Sequence, residues 1–321
     1  MAQTVDGVLL QHGQLLFYPE PRHGRPASAP RLPKSPQAGA RVIRRHIEAV
    51  VYRVPQVMVK ITGTSNGMKQ LMGHLAYITK HGKLPLTDDR GEPHAGMSGV
   101  GEVADDFRYG GSLIPESSDR REAYHVSLGM PAGTDVNGMV AAVEEFVAKE
   151  FGNHQHAWVV HEHQDNPHVH LVVRAEGRNF KRLPTRKPDL HRWREGFARA
   201  LRDHGIEADA TKRVARGVVR DSDLLWQVKA YEEGRLDKEH KGHGKVAIKL
   251  PTMYRVLEAW AHIHNALQAS ADPADQQLAD DLRRFLAGTP MARMVHAMEK
   301  AREHSRQPPV RQPDGPEQGI G

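Results

Sequence analysis

Residues 161–174 read HEHQDNPHVHLVVR. In an extended chain, residues two apart point to the same face, so His168 and His170 project together while Val169 and Leu171 face a core. Two imidazoles on one face of a rigid strand are ligands that suit Zn, Mn, Fe, Ni or Cu. The stretch therefore predicts a strand with a metal site on one face and a hydrophobic core on the other.

The preceding residues predict a partner strand. Residues 157–163 read AWVVHEH, and the QDNP that follows is typical of a turn. A four-residue loop pairs His163 with His168 and His161 with His170, and directly paired residues share a face. We therefore expect all four histidines to converge, which gives a metal three or four histidine ligands.

Composition limits the class of protein. The chain has 321 residues, enough for roughly two domains, and a net charge of +6 that suggests a polyanionic partner. A solvated basic surface is the alternative interpretation. The absence of cysteine excludes disulfides and thiolate ligands. No apolar run approaches the roughly 20 residues of a membrane span, and no secretory signal is visible, so we expect a cytoplasmic protein without membrane insertion.

Strand and helix patterns alternate along the chain. Strand-like segments are 57–63, 123–130 and the histidine hairpin, and helix-like segments are 66–81, 138–152 and 189–204. This order predicts an α+β fold with a central, mostly antiparallel sheet flanked by helices and a small helical C-terminal extension.

Composition also predicts the domain boundaries. We expect poor order over residues 1–40 and loops over 83–120, which are rich in Gly, Asp and Pro. The predicted segments are a basic, partly disordered extension (1–55), the metal-containing domain (56–225), a charged linker (226–250), a helical region (251–304) and a disordered tail (305–321).

One tyrosine stands out on the predicted helix 66–81, for which Ser65 is a plausible N-cap and Gly82 a stop. The apolar stripe of that helix consists of Met68, Leu71, Met72, Leu75 and Ile78. Tyr77 lies at least about 120° from both the Leu71 and the Leu75 position at 100° per residue, so it is presented to solvent rather than packed. Lys80 and Lys83 follow it and would attract a phosphate. The alternative is an ordinary exposed tyrosine at a helix end.

Three segments resemble, in order and spacing, the motifs of conjugative relaxases. They are HLAYITKHGKLPL (74–86), YHVSLGMPAGTD (124–135) and HEHQDNPHVHLVVR (161–174). Relaxases are mobilisation endonucleases with a histidine–hydrophobic–histidine site, and the closest similarity is to the T-DNA border endonuclease branch. The resemblance covers about residues 55–220.

The resemblance implies roles for individual residues. Tyr77 corresponds to the nucleophile, and His161, His168 and His170 correspond to ligands of a divalent metal such as Mg, Mn or Zn. Ser127 lies in the segment thought to contact DNA near the nick.

An acidic position beside the histidines is matched by Asp165, which could orient a ligand or accept the tyrosine proton. The branch usually has His-x-Asp where this chain has His163 in the third position. Either His163 joins the metal, or Asp165 alone supplies the carboxylate.

A basic arm follows the last predicted helix of this domain. We expect phosphate contacts from its cations, which set affinity and salt dependence rather than sequence choice. These cations are Lys212, Arg213, Arg216 and Arg220. A solvated loop is the alternative interpretation.

The resemblance implies a site- and strand-specific relaxase. Such an enzyme nicks single-stranded DNA at an origin of transfer through a covalent 5′-phosphotyrosyl intermediate, and it pilots the strand in conjugative plasmid mobilisation. It also implies an accessory relaxosome DNA-binding protein, a coupling ATPase and a type IV secretion system. The sequence contains no GxxxxGK[ST] loop, so it shows no motor of its own.

Three other functions are compatible with the same residues. A rolling-circle replication initiator uses a tyrosine and a histidine pair for the same chemistry. A metal-dependent hydrolase would use the histidines alone, although an HExxH helix is missing. A non-catalytic DNA-binding module would hold a structural metal with four protein ligands, and His163 could complete that set.

Overall fold

The structure, a computed structural model, describes residues 4–19, 31–162, 166–219, 234–235 and 248–306. The chain divides into two compact units, Met1–Lys212 and Arg213–Gly321. A six-stranded antiparallel sheet lies in the first unit, and the elements described in the second are helices. The predicted α+β class and the helical C-terminal region are confirmed.

The sheet carries the three candidate histidine ligands and Ser127 on its strands. Its strands are β1 (Met58–Ser65), β2 (Leu86–Asp88), β3 (Pro93–His94), β4 (Ala123–Gly129), β5 (His156–His161) and β6 (His168–Arg174). Their spatial order is β1-β4-β6-β5-β2-β3, and each neighbouring pair is antiparallel. β4 and β6 are therefore central strands, and β1 is an edge strand.

Helices occupy both faces of the sheet and the C-terminal unit. They are α1 (Val5–Phe17), α2 (Pro36–Val51), α3 (Met68–Ile78), α4 (Gly96–Tyr109), α5 (Val136–Phe151), α6 (Lys187–Asp203), α7 (Leu250–Gln268), α8 (Pro273–Ala287) and α9 (Pro290–Arg306). Within the ranges described above, no helix is long and apolar enough to cross a membrane.

One face of the sheet is closed by α5 and α6. Val169, Leu171 and Val173 of β6 point to this closed face, as the alternation predicted, and each is fully buried. They pack in one cluster with Trp193 and Phe197, which lie four residues apart on α6. Burial of such a surface from water supplies most of the stability of the domain.

The opposite face is covered by α3 and α4 over only part of its length. Leu71, Leu75 and Phe107 bury Val172 there, near the end of β6. The other end carries His168 and His170, which are only half-buried. We call this partly covered side the open face.

Two helices form where the sequence predicted loops or poor order. Leu9 and Leu16 of α1 are buried, and Gly13 lies against Ile43 of α2, so this pair of helices has its own apolar contact. α4 contains glycine at several positions, which lowers helix propensity, but Phe107 anchors it in the core. Tertiary packing outweighs the local sequence signal in both helices. The expectation of poor order before residue 40 is thus wrong for α1.

Helix α3 is shorter than predicted. Ser65 does not cap it, because Ser65 is the last residue of β1 and its hydroxyl bonds His125 Nε2 at 2.8 Å. The helix begins at Met68, and the backbone turns into the left-handed region at Lys80 and His81 after it ends.

The predicted domain boundaries stay predictions. Most of the proposed linker 226–250 and of the tail 305–321 lies outside the described residues.

Candidate active site

The paired strands β5 and β6 bring three histidines together. His161 pairs directly with His168, and His170 lies two residues further along β6, so all three share the open face. One nitrogen from each ring lies within 4.8 Å of the others. The described residues thus assemble the three predicted nitrogen ligands at one place.

The pairing register differs from the prediction. His170 pairs with Val159, and His161 pairs with His168 rather than with His170. The shift is two residues, and an even shift keeps every side chain on its face. Strand β6 begins at His168, directly after Pro167, which has no N–H to donate. The Pro167 carbonyl accepts a hydrogen bond from the backbone N–H of Met130, the residue after β4, at 3.1 Å.

Hydrogen bonds to backbone carbonyls fix two of the three rings. His161 Nε2 donates to the Ile78 carbonyl at 2.7 Å, and His168 Nδ1 donates to the Asn166 carbonyl at 3.1 Å. A carbonyl only accepts, so the protons lie on these nitrogens. Nδ1 of His161 and Nε2 of His168 are then the nitrogens that present lone pairs, an arrangement typical of metal-ligating histidines.

These residues fit a divalent metal. Metal–nitrogen bonds of about 2.0–2.1 Å place tetrahedral ligands roughly 3.4 Å apart, so small torsional changes bring the three nitrogens onto one ion. Three protein ligands leave positions open for a substrate oxygen. His163 and Asp165, the predicted fourth ligand and proton acceptor, lie outside the described residues.

Tyr77 lies at the edge of the same site. It is the penultimate residue of α3 and is 70 % exposed, as the helical wheel predicted. The carbonyl of the next residue, Ile78, accepts the hydrogen bond from His161, so the helix end that carries the phenol contacts the histidine cluster.

The chain reverses sharply after Tyr77. Lys80, His81 and Gly82 have φ values of 51°, 57° and 78°. A Cβ at Gly82 would lie 2.6 Å from the Gly96 carbonyl carbon, so only glycine fits there. The reversal leaves Lys83 exposed and Lys80 half-buried beside the helix end.

Ser127 is placed beside the cluster but is only 5 % exposed. It lies on β4 in direct register with His170 and faces the open side. The strand pairing thus brings Ser127 next to a predicted metal ligand, as the order of the sequence segments suggested.

The cations of the basic arm lie in different environments. The Lys212 ammonium donates to the Tyr18 carbonyl, so this cation is engaged within the first unit. Arg213 is exposed and Arg216 is half-buried, and both belong to the second unit. Arg220 lies outside the described residues.

Sequence reasoning missed a second pair of histidines. His125 on β4 and His74 on α3 stack with ring centroids 3.5 Å apart and planes within 2°. Burial, then the adjacent His125, lowers the pKa of His74 to about 4, and burial, then His170, lowers the pKa of His125 to about 4. Both rings are therefore neutral at pH 7 and add no charge beside a cation.

The stacked pair also connects the candidate nucleophile to the sheet. The ring centroid of His74 lies 6.4 Å from that of Tyr77, one helical turn away. Two signals could have identified the pair. His125 is two residues before Ser127, on the same face, and His74 is three residues before Tyr77, on the same side of a helix.

Comparison with known proteins points to one family. Residues 88–206 match the family model described as relaxase, MobA/VirD2-like, nuclease domain. This segment holds the three histidines, whereas Tyr77 precedes it.

A solved chain from work on the molecular basis of vancomycin resistance transfer in Staphylococcus aureus is also similar. It shows 14 % identity over 49 % of this chain and 98 % of that chain, with a TM-score of 0.32. At this level the structural similarity carries no further argument. No curated protein matches this chain significantly.

Proposed function

We propose that this chain, which carries a relaxase nuclease domain of the MobA/VirD2-like family over residues 88–206, nicks DNA at an origin of transfer and holds the cut strand on Tyr77. The observation that carries the proposal is the contact between the Tyr77 helix end and the histidine cluster through Ile78 and His161. The proposed nucleophile lies shortly before the segment that matches the nuclease family, and the three histidines lie within it.

The reaction is a transfer of a phosphoryl group to the phenol oxygen. Tyr77 Oη attacks the scissile phosphorus, the bond from phosphorus to the 3′ oxygen breaks, and the 5′ phosphate stays on Tyr77 as a phosphodiester. Asp165 accepts the phenol proton in this proposal, and the departing 3′ oxygen takes up a proton from the protonated Asp165 or from water and ends as a hydroxyl. A divalent cation held by His161, His168 and His170 would neutralise charge on the non-bridging oxygens.

The ester bond explains how the cut is reversed. A phosphotyrosine keeps the diester linkage, so attack by a 3′ hydroxyl rejoins the strand without ATP. We propose that strand separation comes from supercoiling or from other proteins. We also propose three partners: an accessory relaxosome protein, a coupling ATPase and a type IV secretion system. The chain would pilot the bound strand through that system, as in the T-DNA branch.

The three imidazole nitrogens limit which divalent ions suit the site. Neutral imidazole is a good ligand for Mn²⁺ and Zn²⁺, whereas Mg²⁺ prefers oxygen. We therefore propose Mn²⁺ or Zn²⁺ as the first ions to test, with Mg²⁺ as the comparison.

Capture of the covalent adduct tests the nucleophile. Protein is incubated with single-stranded DNA from a transfer origin and each metal, and adducts that survive SDS are counted. Tyr109→Phe is the matched control, because Tyr109 is 67 % exposed and also ends a helix. We expect adducts from the unmodified protein and Tyr109→Phe and none from Tyr77→Phe. An adduct on Tyr77→Phe would refute the assignment.

The same assay separates the other functions. A hydrolase gives metal-dependent turnover without an adduct, and a DNA-binding module gives neither. A replication initiator gives an adduct but supports plasmid replication instead of mating between cells.

A further inference from the structure

The span of chain that carries Tyr77 is basic and has no acidic residues. Between Glu48 and Asp88 the sequence contains no aspartate or glutamate, and its five cations are Arg53, Lys60, Lys69, Lys80 and Lys83. This span forms β1, α3 and the chain reversal after α3. Its charge is close to the +6 of the whole chain, so a phosphate backbone is attracted to this part of the molecule more than to the rest.

A glycine in the middle of α3 is not explained by the packing of the domain. Gly73 is exposed, and a Cβ placed on it would meet no atom of another part of the described chain within 4 Å. Its φ is not in the left-handed region, so any residue could adopt its backbone conformation. Glycine in a helix interior is destabilising relative to alanine or leucine. The fold thus bears a cost at Gly73 and gains no contact from it.

The phenol of Tyr77 stands between Gly73 and His74 on the helix surface. At 100° per residue, Tyr77 lies about 40° from Gly73 and about 60° from His74 around the helix axis. Helical side chains tilt toward the N-terminus, so the Tyr77 ring lies over this turn, with its centroid 6.4 Å from that of His74. His74 is itself stacked on His125 of β4. One flank of the phenol is therefore filled by a ring that packs on the sheet, and the flank over Gly73 is open.

The open flank gives room for part of the DNA strand. When Tyr77 attacks a phosphorus, the nucleotides bonded to that phosphate must also lie beside the phenol. A sugar or base on this flank can approach the helix backbone at Gly73 more closely than any side chain would allow. Lys69 is exposed one turn earlier on the same face, about 6 Å along the axis from Gly73 at 1.5 Å per residue. Its ammonium can meet a phosphate further along the same strand.

We propose that Gly73 is a close-approach site where the nucleotide next to the scissile phosphate packs against α3, while Lys69 binds a neighbouring phosphate. This inference rests on the proposed function and deepens it, because it assigns a surface beside the nucleophile to the substrate. Gly73 is a positioning residue: it takes no part in bond making, and the lack of a side chain admits the nucleotide. The same glycine that weakens the helix is then required for the reaction.

Adding a side chain at Gly73 should stabilise the fold and weaken DNA binding. Gly73→Leu is compared with Gly101→Leu, because Gly101 also lies inside a helix, α4, with nothing within 4 Å of a Cβ. Leucine has a higher helix propensity than glycine, so both changes should raise Tm by about 2 °C. For a thymidine 20-mer, we expect Kd to rise about tenfold in Gly73→Leu, the loss of one nucleotide contact, and about twofold in Gly73→Ala. Gly101→Leu should keep the Kd of the unmodified protein.

The adduct assay separates a lost contact from a displaced phenol. In Gly73→Leu we expect KM for an origin strand to rise by a larger factor than kcat falls. An unchanged Kd overturns the proposal, and so does slower adduct formation at unchanged Kd, since the new side chain would then act on the phenol alone. A thymidine strand contains no transfer origin, so the Kd comparison does not depend on nicking. Absence of adducts from the unmodified protein would instead refute the proposed function.

The salt dependence of binding tests the phosphate contact at Lys69. Lys69→Met should reduce the slope of log Kd against log salt by about 0.7, the value for one phosphate contact on a single strand. Lys149→Met, which removes an exposed lysine from α5 on the closed face, should keep the slope. Lys69→Arg should restore it. An unchanged slope in Lys69→Met overturns the assignment of Lys69.

Discussion

The two faces of the central sheet use the same strand for different purposes. On β6, Val169 and Leu171 point to the closed face and are fully buried, whereas His168 and His170 point to the open face and are half-buried. The difference shows that a period of two lets one strand hold a core and a reactive cluster at once. The closed face packs into the core and holds the strand in place, and the open face presents the histidines.

The largest effect is expected on the open face. His170→Ala removes one of three proposed ligands, so metal affinity should fall at least about 100-fold and the rate of adduct formation about 1000-fold. Calorimetric titration with Mn²⁺ and the adduct assay measure these losses. His204→Ala, at the C-cap of α6, is the control, and the melting temperature of His170→Ala should change little because His170 is half-buried. A normal metal affinity in His170→Ala would contradict the ligand set.

A change at the next residue should give the opposite result. Leu171→Ala leaves a cavity in the closed-face core and should lower the free energy of unfolding by about 3 kcal/mol. Urea unfolding measures this change. Metal affinity of the folded protein should stay within a factor of two or so of the unmodified value, since Leu171 points away from the site. A large loss of metal affinity would show that the two faces are not independent.

The smallest effect concerns the stacked histidines. Since their pKa values are lowered to about 4, the unfolded chain binds more protons than the folded one below about pH 6.5. Their contribution to stability is full above that pH and is lost as pH falls toward 4.

His74→Phe keeps the ring stack and removes one titrating group. It should flatten the pH dependence of unfolding between pH 6.5 and 4 by up to about 1 kcal/mol per pH unit. Unfolding in the presence of a chelator measures this without any contribution from metal binding. An unchanged dependence on pH would mean that His74 does not titrate differently in the two states.

Periodicity predicted much of the site. Alternation placed His168 and His170 on one face, and the helical wheel placed Tyr77 in solvent. Both arguments use spacing within one element, which the sequence carries directly. The predicted convergence of His161 also holds, because the error in register was even.

The remaining features of the site depend on which helices and strands pack against each other. His161 reaches the Ile78 carbonyl only because the end of α3 lies against β5, and His74 meets His125 only because α3 crosses β4. Spacing within one element can suggest the residues involved, but the contacts themselves depend on tertiary packing. The same applies to α1, whose order comes from its contact with α2 and not from its own composition.

The bond from His161 to the Ile78 carbonyl has a consequence for assembly. One imidazole touches the helix end that carries the phenol and also belongs to the metal-binding set. In the proposed reaction, this single side chain would act as a spacer between the phenol and the bound phosphate. A substitution that displaces the end of α3 would then move the phenol and disturb one proposed metal ligand at the same time.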